Sequence, residues 1–120
     1  MNSQIVWCNG PFKGSVPDLT IARQDLVHLL NEGEGLLADK GYIGEECFIT
    51  PYKPAKNNYE KEFNRQANKQ RQIIERIITR IEIFHSVKKE WRHDISLHYF
   101  IFYVIANITN LNLMERPLNK

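Results

Sequence analysis

The stretch RQIIERIITRIEIF, from Arg71 to Phe84, restricts the fold more than any other part of this sequence. Its large apolar residues recur at the spacing of an amphipathic helix that packs on a core: Ile73, Ile74, Ile77, Ile78, Ile81 and Phe84. At about 100° per residue, Arg71, Glu75 and Glu82 fall on one narrow face beside that stripe. The sequence therefore predicts a helix that carries the carboxylate of Glu75 on its polar side.

A second acid, Asp39, lies in the segment LLADKGYIG. The apolar run Leu36–Ala38 is typical of a short buried strand, and Gly41 and Gly44 break the run soon after the acid. Asp39 is therefore expected at the carboxyl end of a strand. A strand-end aspartate and a helix-borne glutamate, far apart in sequence, could converge on one metal ion.

The remaining segments predict an alternation of strands and helices. The order strand, helix, strand at the start of the chain favours an α/β fold with a mixed or parallel sheet. Strands are expected at Gln4–Cys8 and Cys47–Thr50, and helices at 18–30, 58–87 and 95–108.

Length and charge set limits on what the chain can be. At 120 residues and 42% hydrophobic content it is long enough for one domain, or part of one. The net charge of +2 does not by itself predict nucleic-acid binding, although the middle of the chain is locally basic. Cys8 and Cys47 show no zinc-type spacing with the histidines, which favours a reduced, intracellular protein. The apolar stretch 95–108 is too short to cross a bilayer, so no membrane association is expected.

Five segments, taken in order, carry a family resemblance. They are GPFKGSVPDLTIAR, LLADKGYIG, ITPYK, FNRQANKQRQIIERIITRIEIF and NITNLNLMERPL, and together they cover nearly the whole chain. They resemble the second half of the DDE superfamily endonuclease domain of Harbinger-like and related insertion-sequence transposases. The resemblance implies that residues 1–120 are the carboxyl-terminal part of such a domain. It also implies a partial ribonuclease H-like fold, a mixed sheet flanked by helices.

The resemblance also implies a metal-dependent chemistry on DNA. Family members present three carboxylates that hold two divalent cations, Mg²⁺ or Mn²⁺, for phosphodiester hydrolysis and strand transfer. The two cations lie roughly 4 Å apart. One activates the attacking oxygen as a nucleophile, and the other stabilises the negative charge that develops on the leaving oxygen. Carboxylates suit such hard cations. By resemblance Asp39 is the second acid and Glu75 the third, so both are predicted to be catalytic and metal-binding.

The first acid of the family's triad lies on a strand before Gln4–Cys8 and is missing from these residues. With two of three ligands, the chain is expected to be a truncated remnant that is inactive on its own. Asp18, which follows Pro17 at the start of a predicted helix, is a candidate to replace this first acid. We interpret it instead as an N-cap, which contributes about 1 kcal/mol.

DNA contacts are predicted on the third-acid helix, at Lys69 and Arg71. Insertion-sequence relatives carry a tyrosine, an arginine, a glutamate and a lysine there, and the corresponding residues in this chain are Asn68, Arg71, Glu75 and Glu82. Arg71 and Glu75 match that pattern. Asn68 and Glu82 depart from it, and a glutamate in the lysine position would repel phosphate.

Other interpretations stay open at this point. The main alternative is a non-catalytic, domesticated fragment that binds DNA or a partner protein through its basic middle helix. A small all-helical interaction module is disfavoured by the strand, helix, strand order over 4–50. Under either interpretation, the partners expected besides DNA are a second copy of the chain or a separate DNA-recognition protein. The expected location is the nucleus in a eukaryote and otherwise the cytoplasm. The aromatic residues of the last helix are expected to pack in a core.

Overall fold

The computed structural model describes residues 3–118. Their internal contacts divide them into two compact units, which are described separately. The middle unit is Phe12–Lys69, and the terminal unit consists of the described residues of Met1–Pro11 and Gln70–Lys120. Helices and one pair of parallel strands confirm the α/β class in this coarse form. The ribonuclease H-like arrangement stays a prediction.

The middle unit begins with a helical segment whose winding changes twice. α1, Asp18–Ile21, continues into a wider π-helical turn, Ala22–Leu26, and then into a tighter 3-10 turn, Val27–Leu29. Ala22 is buried on its inner side. The helix predicted at 18–30 is thus present, as three successive helical segments that end at Leu29.

The N-cap role predicted for Asp18 is wrong. Pro17 occupies the N-cap position, and its carbonyl oxygen accepts from the N–H groups of Thr20 and Ile21 at 3.0 and 3.2 Å. Because helical bonding already starts at that carbonyl, Asp18 is the first residue inside the helix and makes no side-chain cap bond. Its charge in the first turn still interacts favourably with the helix dipole.

Two short parallel strands form the sheet of the middle unit. β1, Leu36–Leu37, pairs with β2, Phe48–Ile49, so that Leu36 lies opposite Phe48. The predicted strands are confirmed, but β1 is not buried, since Leu36 is half-buried and Leu37 exposed. A strand with one neighbour among the described residues leaves much of its surface open.

The strand predicted at Gln4–Cys8 is wrong, since residues 3–17 contain no strand. Strand formation needs a neighbouring backbone, and here a side chain takes that place. Asn110 accepts from the N–H of Ile5 at 2.7 Å and donates to its carbonyl oxygen at 2.8 Å. One amide side chain thereby satisfies both backbone groups of an extended residue, as a neighbouring strand would.

α2, Asn58–Ile81, begins in the middle unit and ends in the terminal unit. It confirms the helix predicted from the isoleucine stripe but stops short of Phe84, which caps the short helix α3, His85–Lys88. Glu82 therefore lies beyond α2, in the turn. The stripe is also narrower than predicted: Ile81 is buried, whereas Ile74 and Ile78 are about half exposed.

α4, Ile95–Glu115, is about two turns longer than the helix predicted at 95–108. Asp94 caps it, because its carboxylate accepts from the N–H of Ser96 at 3.0 Å. Near the other end, Arg80 donates to the side-chain oxygen of Asn112 at 3.0 Å and to the carbonyl oxygen of Arg116 at 2.7 Å. None of the helices within residues 3–118 is long and apolar enough to span a lipid bilayer.

The core predicted for the aromatic residues of α4 is only partly present. Phe102 is half-buried, but Tyr99, Phe100 and Tyr103 are exposed. The residues that α4 does bury are Ile105, Ala106, Thr109 and Leu113. They form one stripe on the helix, so its other side is left uncovered.

Candidate functional site

Asp39 lies two residues beyond β1, at the carboxyl edge of the parallel sheet. The ladder ends just before it, where Ala38 donates to the carbonyl oxygen of Ile49 at 2.9 Å. Asp39 caps the short 3-10 helix Lys40–Tyr42, and its Oδ1 accepts from the N–H of Gly41 at 2.8 Å. A Cβ on Gly41 would lie 3.0 Å from the same oxygen, so the glycine allows this tight turn. The carboxylate is exposed and retains acceptor capacity.

The hydroxyl of Tyr42 lies close enough to two acids to feel both charges. Burial raises the pKa of Tyr42, and the negative charges of Asp18 and then Asp39 raise it further. The phenol therefore stays protonated and can donate a hydrogen bond. Asp18, which was not assigned to the site from the sequence, thus stands near the same group as Asp39.

Two lysines meet at the same edge of the sheet. Lys40 follows Asp39 after β1, and Lys53 follows β2, whose end lies beside that of β1 because the strands are parallel. Contact with the Lys40 ammonium, and then its charge, lowers the pKa of Lys53. Two exposed ammonium groups close to one another form a spot that attracts anions.

α2 supports this edge through an asparagine. Asn64 accepts from the N–H of Tyr52 at 2.8 Å and donates to its carbonyl oxygen at 2.8 Å. The ring of Tyr52 also packs edge-on against Phe63, with ring centroids 5.3 Å apart. These contacts fix the backbone that leads from β2 to Lys53.

Glu75 lies in the second half of α2 with an exposed carboxylate. Its Oε1 is 3.6 Å from Nε of Arg71, one turn earlier, and both side chains are about 60% exposed. Such exposed helix pairs contribute only about 0.3–0.5 kcal/mol. Asp39 belongs to the middle unit and Glu75 to the terminal unit, and their convergence on one cation stays a prediction.

The carboxylate oxygens of these two acids are suitable ligands for a hard divalent cation. Two carboxylates are nevertheless too few to form a complete metal site. Asp39 and Glu75 both offer exposed carboxylate oxygens, which Mg²⁺ and Mn²⁺ prefer. Within residues 3–118, no three or more His, Cys, Asp or Glu side chains are grouped so as to hold a metal ion.

The basic residues of α2 differ in how freely their charges could reach DNA. Lys69 and Arg71, the predicted contacts, are exposed. Arg65 donates twice to the carboxylate of Glu62, at 2.8 and 2.7 Å, which neutralises its charge locally. Arg80 is occupied by its bonds to the end of α4. Arg65 and Arg80 are therefore engaged within the protein, although only the charge of Arg65 is offset by a carboxylate.

Removing the Arg65 side chain should raise the pKa of Glu62. Hydrogen bonds from Arg65, and then from Gln66, lower that pKa from its ordinary 4.5 to about 2. Because the folded pKa lies below the ordinary one, the pair stabilises the fold above about pH 4.5, and that contribution is lost as the pH falls toward 2. An NMR titration of Arg65→Ala should show the pKa of Glu62 moving up toward its ordinary value, with the hydrogen bond from Gln66 still holding it below that value.

Lys61→Ala is the matched control, because Lys61 is also exposed and is not among the groups that lower the pKa of Glu62. It should leave the pKa near 2. An unchanged Glu62 titration in Arg65→Ala would contradict the assignment.

Sequence reasoning missed Lys40 and Tyr42 as parts of the site. The signal was available, since Lys40 directly follows Asp39 and the ends of parallel strands meet at one edge. What could not be seen is the contact with Lys53, because it depends on the register that pairs Leu37 with Ile49.

Comparison with known proteins gives a family match that covers most of the chain. Residues 1–110 match the family described as DDE superfamily endonuclease. A similar protein is the probable transposase for insertion sequence element IS702 of Microchaete diplosiphon, 30% identical over 92% of this chain and 42% of the transposase. The chain thus spans less than half the length of that relative. No solved structure matches it.

Proposed function

Because this chain belongs to the DDE superfamily endonuclease family, we propose that it supplies Asp39 and Glu75 to a metal-dependent, transposase-type nuclease domain. The reaction would be hydrolysis and transfer of phosphodiester bonds in DNA. The observation that supports this proposal best is the exposed Asp39 carboxylate, oriented by Gly41 at the carboxyl edge of a parallel strand pair.

Asp39 and Glu75 would hold the divalent cation, Mg²⁺ or Mn²⁺. The bound cation would supply charge stabilisation and a reactive oxygen nucleophile. The protein's own part is to orient Asp39 through the Gly41 N–H and to keep the neighbouring Tyr42 hydroxyl protonated. The ammonium groups of Lys40 and Lys53 would hold a DNA phosphate beside the acid.

The two acids are fewer than the three that the two-metal chemistry uses. We therefore propose that these 120 residues bind a cation weakly and do not cleave DNA on their own. The chain would then supply only the carboxyl-terminal part of the nuclease domain.

A Mn²⁺ titration tests whether Asp39 and Glu75 share a cation. Calorimetry on the intact chain should show weak binding, and Asp39→Asn and Glu75→Gln should each weaken it about tenfold or more, since even indirect support of a metal ligand is worth that much. Glu46→Gln, at an exposed acid next to β2, is the control and should bind like the unchanged chain. Loss in Asp39→Asn alone would mean that Glu75 does not share the site.

The second candidate function is non-catalytic DNA binding, and the exposed Lys69 and Arg71 favour it. Binding to duplex DNA should be weak, independent of base sequence and steeply dependent on salt, because phosphate neutralisation drives it. Replacing both residues with alanine should reduce the slope of log K against log salt by about one per lost phosphate contact. Fluorescence anisotropy on two unrelated duplexes measures this.

Arg65→Ala is the control for the salt slope, because Glu62 already neutralises that guanidinium. It should change the slope less than Lys69→Ala does. A flat salt response of the unchanged chain would leave α2 as an ordinary solvated helix.

A further inference from the structure

The last helix carries no formal charge over almost its whole length. From Ile95 to Met114, α4 contains no Asp, Glu, Lys or Arg. One side is buried within the terminal unit, along the stripe that includes Ile105, Thr109 and Leu113. A surface helix of a globular domain would place charged residues opposite such a stripe. α4 instead remains apolar there.

The exposed side of α4 follows a strict heptad pattern. Leu97, Phe100, Val104, Asn107, Leu111 and Met114 succeed one another at alternating steps of three and four residues. The apolar members are 51–65% exposed. This is the spacing at which one helix presents a continuous seam to a second helix.

The exposed area is large enough for a stable interface. With Ile101, Tyr103 and Ile108 on its flanks, the seam exposes roughly 900 Å² of side chain, taking about 150–250 Å² for each large side chain when fully exposed. The largest apolar patch on a typical monomer is about 300–600 Å². A standard interface buries about 800 Å² per partner, which this face supplies.

We propose that the seam packs against the same seam of a second copy of this chain, with the two α4 helices parallel. The absence of charge means that two copies meet without like-charge repulsion. The position of Asn107 sets the orientation. Parallel helices place it against the partner's Asn107, whereas an antiparallel pair places it against an apolar valine.

The geometry of Asn107 suits that pairing. Its Nδ2 donates to the carbonyl oxygen of Tyr103 at 3.1 Å, on its own helix. The amide oxygen and the second N–H remain for the partner's Asn107. A single polar pair within an apolar seam fixes the register of the helices and the number of helices that associate, and it lowers the stability of the assembly somewhat.

The molar mass of the intact chain in solution tests the proposal. Sedimentation equilibrium should give twice the monomer mass of 14.1 kDa at micromolar concentration. Val104→Lys and Val104→Glu, in the centre of the seam, should each weaken the dimer about thirtyfold or more. Ile83→Lys, at an apolar residue that is even more exposed but lies outside the seam, should leave the dimer unchanged.

A mixture of the two Val104 variants distinguishes the orientations and shows that the variants fold. In a parallel pair residue 104 faces the partner's residue 104, so the lysine and glutamate chains should form a heterodimer while neither associates alone. A chain that stays monomeric, or a Val104→Lys variant that dimerises like the unchanged chain, would overturn the proposal. Failure of the mixture to associate would overturn the parallel arrangement, and binding of a monomeric chain to lipid vesicles would assign the seam to a membrane surface instead.

Discussion

Supercoiled plasmid incubated with the purified chain and Mg²⁺ or Mn²⁺ is expected to stay uncut. Two-metal cleavage places cations about 4 Å apart to activate the attacking oxygen and stabilise the leaving one. Asp39 and Glu75 are the two carboxylates proposed for this task, and the resemblance to the family implies a third. The expected effect is all or none, because a missing ligand leaves the second cation without an anchor.

Gel analysis of nicked and linear plasmid measures this outcome, with Asp39→Ala and Glu75→Ala prepared in parallel. Nicking by the unchanged chain that disappears in both variants would contradict the expectation, since the 120 residues would then suffice. Nicking that persists in both variants would come from a contaminating nuclease. The Mn²⁺ titration adds an independent readout, because weak cation binding without cleavage is the specific pattern expected.

Phe48→Ala should be the most destabilising single substitution in the middle unit. Phe48 is 8% exposed on β2, and its ring centroid lies 4.9 Å from that of Tyr42. Truncating a buried phenylalanine costs about 3–5 kcal/mol, a large part of the 5–15 kcal/mol that stabilises a typical domain. The loss should also release the turn that holds Asp39, since Tyr42 closes it. Urea denaturation followed by circular dichroism gives the free energy of unfolding.

Ile49→Ala is the control on the next residue of the same strand. Ile49 is 46% exposed, so its truncation removes less buried surface and leaves a smaller cavity. A clearly smaller loss than for Phe48→Ala is expected. Equal losses would mean that the strand pair, rather than the Phe48 ring, determines stability there.

The parts of the fold that follow from local periodicity could be predicted from the sequence. The isoleucine spacing predicts α2, and the apolar run before Asp39 predicts β1 together with the strand-end position of the acid. Helix ends were less predictable. α2 stops at Ile81 although the apolar spacing continues to Phe84, because Phe84 takes extended backbone angles at the start of α3.

The remaining features depend on contacts between distant residues. Gln4–Cys8 has the composition of a strand, yet strand formation requires a neighbouring backbone, and Asn110 supplies a side chain instead. The exposure of Phe100 could not be read from its apolar character, because no charged residue between Ile95 and Met114 marks a solvent-facing side of α4. The pairing of Lys40 with Lys53 depends on sheet register.

The Asn110 clamp on Ile5 has a consequence for the order of folding. It joins residues 105 positions apart, and closing a loop of that length costs about 4 kcal/mol of chain entropy. At about 5–20 residues per second of synthesis, Ile5 enters the chain roughly 5–20 s before its partner. The segment around Ile5 therefore remains without this contact until α4 has been synthesised, and the terminal unit acquires its native contacts only after Asn110 has joined the chain.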